Sequence, residues 1–235
     1  MAFGGTTLLR QRKYTVLLAV LLAQLVLQSF AITTGSESIW HDVMATALGV
    51  AIFLVVFDRS ALQAVMAVSL LIALSIGWER HLLVPSIFDN AFRVSQAGAL
   101  ASFYWVVVWA ILRDLFRTPV IAADNVFGAI CGYIIMGQGW AYLNVLTYLF
   151  APSTYLFDPK VVLPLADWHG RTALFAYYSY SQMLTIGYAA VMPLTAPATT
   201  LSLLAALFGL FYTAVIVSQL VGMAQTRRQE AKDDK

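Results

Sequence analysis

Charge is what this sequence has least of. Only 11% of its 235 residues are Asp, Glu, Lys or Arg, against about a quarter in soluble domains. With 60% of residues hydrophobic, the chain has too little polar surface for water and reads as an integral membrane protein. A net charge of +2 is too small for a nucleic-acid footprint, and the basic residues sit at the ends of apolar runs instead of forming one patch. Cysteine is scarcer still. Cys131 stands alone, which excludes an intrachain disulfide and a cysteine-built metal centre. His41, His81 and His169 fall in separate segments with no partner at ligand spacing, so neither a metal nor a cofactor is expected. The chain also lacks a buried acid–base pair, a nucleophile motif and a phosphate-binding loop, which argues against an enzyme. No internal repeat marks an inverted-repeat transporter.

Long hydrophobic runs are what the chain has in abundance. They cover 14–32, 39–57, 61–78, 94–112, 120–150 and 198–223, and each is long enough to cross a bilayer as a helix. Arg10, Arg12 and Lys13 ahead of the first run, with Ser29-Phe30-Ala31 behind it, have the outline of a secretory signal. The run is about 19 residues, however, close to the ~20 a span requires, so it is read as a retained first transmembrane helix. A seventh apolar segment, 171–184, would cover only about two-thirds of a ~30 Å hydrocarbon core. It is expected to enter the membrane and return, which is tolerated only where protein or a water-filled path surrounds the turn.

In this six-span arrangement ten of the 14 basic residues lie on one side, with Arg10, Arg12, Lys13, Arg113 and Arg117 among them. That asymmetry predicts both termini in the cytoplasm. A voltage-sensing helix needs Arg or Lys at three-residue spacing within the span, and 94–112 contains neither, so no steep voltage dependence is expected. The expected organisation is a four-helix peripheral domain over 1–117, a pore domain over 118–225 and a charged cytoplasmic tail over 226–235. The outer loop at 151–170 carries Pro152, Pro159 and Pro164 and reads as a turret, with Asp158 and Asp167 as solvated loop charges. Asp124 is read as a carboxylate at a helix N-terminus, and Gly128-x-x-x-Gly132 as a packing surface.

Between the half-length segment and the last span stands Thr185-Ile186-Gly187-Tyr188-Ala189-Ala190. A Thr-aliphatic-Gly-Tyr turn in that place resembles the selectivity filter of the potassium-channel superfamily. Tyr177-Tyr178-Ser179 is similar to the aromatic pair and serine of that family's pore helices, which brace the filter. Pro193 and Gly209 lie where the family carries a proline and a hinge glycine. The resemblance covers about 120–223 and implies an all-α fold with six transmembrane helices and a re-entrant pore helix and filter between helices 5 and 6. It also implies a homotetramer in the plasma membrane or bacterial inner membrane, in contact with lipid, with monovalent cations, chiefly potassium, as permeant ions.

On this reading the filter is Thr185, Ile186, Gly187, Tyr188 and Ala189. Gly209 is the candidate hinge, and Thr213 and Val217 line the candidate gate. Three residues depart from the family pattern. Leu184 stands where a further threonine is common, Ala189 replaces a glycine, and Ala190 replaces an aspartate that braces the filter from behind. An alanine forced into a left-handed backbone costs about 1–2 kcal/mol per subunit, so relaxed selectivity is expected. The alternative is a channel-like membrane protein that no longer conducts and acts through a partner or lipid.

Overall fold

The computed structural model describes residues 13–34, 46–50, 52, 67–68, 70–71, 89–117, 123–158, 168–187 and 191–233. Five long helices dominate them: α1 (Lys13–Thr34), α2 (Asp89–Arg117), α3 (Ala123–Phe150), α4 (Trp168–Met183) and α5 (Ala196–Asp233). Two short strands, β1 (Tyr155–Phe157) and β2 (Val191–Pro193), pair antiparallel with Tyr155 opposite Pro193. The protein is therefore an all-α membrane protein carrying one small ribbon. Among the described residues three helices are long and apolar enough to cross a bilayer, at Asn90–Phe116, Asp124–Phe150 and Ala196–Ser218, and a shorter apolar helix covers Lys13–Val26.

The expected second and third spans lie mostly outside the described residues. Their described positions are helical, and Leu48, Ile52 and Leu70 join the core around Tyr14, Leu17 and Phe103. α2 is longer at both ends than its apolar run, because Asp89 and Asn90 suit a helix start and the run marks only the lipid-depth part. Arg93 consequently belongs to the helix, not to the preceding loop. α5 likewise continues past its apolar run into the tail, to Asp233. Pro197 in its first turn costs nothing there, since that amide has no intrahelical partner.

α1, α2 and α3 meet at one end. The Asp124 carboxylate accepts from the backbone amides of Tyr14 and Thr15 and from the Thr15 hydroxyl. It thereby satisfies orphan donors of α1 as well as sitting in the first turn of its own helix, a wider role than the dipole contact expected from sequence. Lys13 pairs with Asp114 at 2.8 Å, offsetting an acid placed near the unfavourable C-terminal end of α2.

The Gly128-x-x-x-Gly132 pair packs on two sides. A Cβ at Gly128 would meet the Tyr14 ring at 2.9 Å, and one at Gly132 would collide with the Tyr212 hydroxyl from α5. That hydroxyl donates to the Ala129 carbonyl at 2.7 Å. α3 is thus the central helix, with 61% of its span buried against 17% for α5.

Candidate functional site

The site grows from the last turn of α4. That helix has 16 residues, about 24 Å at 1.5 Å per residue, and its far end abuts the middle of two longer helices. The Tyr180 ring lies against Gly137, at the midpoint of α3, and its hydroxyl donates to the Ile134 carbonyl at 2.7 Å. On the other side Gly209, in mid-span on α5, touches the backbone of Met183. A side chain at either glycine would push the end of α4 away. The structure thus gives Gly209 a packing contact.

Beyond Met183 the backbone folds back on its own helix. Thr185 adopts φ +57° and Gly187 φ +68°, and both lie in the left-handed region. The Thr185 amide donates to the Gln182 carbonyl and the Ile186 amide to the Ser181 carbonyl, each at 2.9 Å, and the Gly187 amide reaches the same Ser181 oxygen at 3.3 Å. The first two bonds form a Schellman cap with Thr185 at the left-handed position. For a β-branched residue that conformation costs about 1–2 kcal/mol, opposed by the two cap bonds. At Gly187 the left-handed backbone carries no steric cost, since glycine lacks a Cβ.

The consequence is polar. All three amides are spent inward on the helix end, while the carbonyls of Thr185, Ile186 and Gly187 meet no donor among the described residues. Leu184 through Gly187 are exposed in the single chain. The Thr185 hydroxyl donates to the Leu184 carbonyl at 2.7 Å, so its proton is turned into the backbone and its lone pairs remain. Tyr188, Ala189 and Ala190 lie outside the described residues.

Of the three expected brace residues, two hydrogen-bond to neighbouring helices. Ser179 is fully buried against Asn144 of α3, and Tyr178 shares a hydrogen bond with Ser202 of α5. Tyr177 points away and is 48% exposed. Thr213 is exposed and donates back to the Gly209 carbonyl at 2.9 Å, and Val217 is exposed on the same helix. Both lie on the uncovered face of α5, which also carries Leu203, Leu207, Leu210 and Phe211.

Sequence reasoning missed Asn144 and the ribbon. An amide in an otherwise apolar helix was the available signal, because a polar group at that depth needs a partner. Tyr155 donates to the Asn144 side-chain oxygen at 2.6 Å. Burial, with Tyr178 beside it, pushes the Tyr155 hydroxyl above its ordinary value, so it stays protonated and keeps donating. Among the described residues no group of three or more acidic, His or Cys side chains converges as a metal site would need. Against known protein families, curated proteins and solved structures the chain finds no match, so the site rests on its own geometry.

Proposed function

We propose that the protein is a cation channel resembling potassium channels, in which four copies surround one axis and ions pass along the Thr185–Ala189 segment. One observation carries the reading: a turn at mid-helix depth whose amides are all bonded inward and whose Thr185, Ile186 and Gly187 carbonyls meet no donor among the described residues. Converging carbonyls can replace the hydration shell of a cation, and one chain supplies only one quarter of such a ring. Symmetric closure supplies the rest.

The uncovered faces support the assembly. Tyr177, Leu184, Ile186 and the outer surface of α5 are exposed in the single chain, as expected of surfaces that meet neighbouring copies or line an axial path. On this reading Val217 forms an apolar constriction below Thr213 that closes by excluding water. The six-span topology with cytoplasmic termini agrees with the gathering of Lys13, Asp114 and Asp124 at one end. Selectivity for potassium over sodium is relaxed, because alanines stand at 189 and 190, where the family pattern carries a glycine and a bracing aspartate.

The test is the structure of the purified assembly in potassium. Four copies with cation density between their Thr185–Gly187 carbonyls are expected. An axis closed by side chains at that level would instead favour the non-conducting alternative.

A further inference from the structure

An asparagine buried in a membrane helix must be fully partnered or it destabilises the fold. Asn144 is 1% exposed and is fully partnered. Its amide nitrogen donates to the Trp140 carbonyl at 2.9 Å and to the Ser179 hydroxyl oxygen at 3.1 Å, and its oxygen accepts from Tyr155 at 2.6 Å. The Trp140 bond is local to α3; the other two leave the helix in different directions.

Ser179 lies in the last two turns of α4, directly ahead of the Leu184–Gly187 turn. Tyr155 opens β1, which pairs with β2, the strand that follows position 190. The pairing is extended by the Leu194 amide, which donates to the Thr154 carbonyl at 2.9 Å. A single side chain therefore ties the end of α4, through Ser179, to the β1–β2 ribbon, through Tyr155. Tyr155 sits in one apolar cluster with Phe175, Tyr178 and Val191, and Ser179 is fully buried, which excludes water from the bonds.

We infer that Asn144 is a positioning residue for ion selectivity, fixing the end of α4 relative to the β1–β2 ribbon and so the placement of the Thr185–Gly187 carbonyls that follow α4. The inference rests on the pore reading above. It touches no ion and acts through Ser179 and Tyr155.

Bi-ionic reversal potentials of the full chain in planar bilayers, potassium against sodium, test it. Asn144→Leu removes both long-range bonds. Ser179→Ala and Tyr155→Phe remove one each, and carry the test if the Leu variant does not assemble. Val145→Ala, a buried neighbour in α3 outside the network, controls for general loosening. The permeability ratio is expected to shift by about three- to tenfold in Asn144→Leu, the factor carried by one or two ordinary hydrogen bonds. The two single-bond variants shift it less and in the same direction, and Val145→Ala leaves it unchanged. A conducting wild type whose ratio is the same in all three network variants overturns the inference and leaves the pore intact, as does an equal shift in Val145→Ala. A wild type that conducts no cation overturns the pore reading and the inference with it.

Discussion

Gly209 of α5 lies so close to Met183 in the last turn of α4 that a side-chain carbon at 209 would collide with the Met183 carbonyl oxygen and crowd its Cα. Because the obstacle is backbone, no rotamer change can relieve it. Gly209→Ala is therefore expected to destabilise the protein by about 1–3 kcal/mol, the range for overpacking a close-packed site. Thermal unfolding in detergent reads this directly. A variant with unchanged stability would leave glycine there for bending alone, not for contact.

Gly132 and Tyr212 make a second close pair, but here the obstacle is a hydroxyl. A Cβ at 132 would meet the Tyr212 hydroxyl, while the ring carbon behind it is 3.4 Å away. Gly132→Ala and Tyr212→Phe should each destabilise, the second by about 1 kcal/mol for the lost bond to Ala129. Together they should cost less than the sum, because removing the oxygen makes room for the methyl. A double-mutant cycle on unfolding free energy is expected to give a coupling of about 1 kcal/mol; strict additivity would contradict the contact.

In the first turn of α3, Asp124 supplies acceptors to three donors of α1. Asp124→Ala is expected to cost about 0.5–2 kcal/mol, the range for a lost helix cap. Asp124→Asn, which keeps one acceptor oxygen, should cost less. Hydrogen exchange of the first-turn amides of α1 locates the effect: exchange that rises in α1 fits the cap, and exchange that rises only in α3 does not. Disrupting the Lys13–Asp114 pair should matter less, since both side chains are partly exposed, at 32% and 45%, where such pairs contribute little.

The turn after α4 makes opposite predictions at two positions. Gly187 has open space around it and φ +68°, so Gly187→Ala should destabilise by about 1–2 kcal/mol through the backbone alone. Thr185→Gly should stabilise by a comparable amount, about 1 kcal/mol, because it removes a side chain from a left-handed position. Unfolding midpoints of opposite sign would establish the conformation; a loss of stability in Thr185→Gly would contradict it.

What was legible in the sequence follows from what each signal measures. Hydropathy and length found α2, α3 and α5, because a lipid-depth helix satisfies its own backbone and needs no distant partner to be recognised. The half-length segment was legible for the same reason, and it appears as α4 ending at Met183. Gly187 announced its left-handed backbone by composition; Thr185 did not, because its conformation comes from capping α4 and not from its own preference. The ribbon was hidden because Tyr155 and Pro193 meet only through the fold, with a helix and the Leu184–Gly187 turn between them in sequence. Asn144 was visible as a residue, but its two long-range partners were not. Two of the five expected filter positions, Tyr188 and Ala189, lie outside the described residues.

The central claim is that cations pass through this protein along the Thr185–Gly187 carbonyls. Potassium flux from proteoliposomes loaded with the purified chain measures it most directly. Vesicles containing the protein are expected to dissipate a potassium gradient far faster than protein-free vesicles, with Gly187→Ala slowing the flux and sodium passing at a measurable rate. Flux no faster than that of protein-free vesicles, with the protein shown to be folded and inserted, would contradict the account.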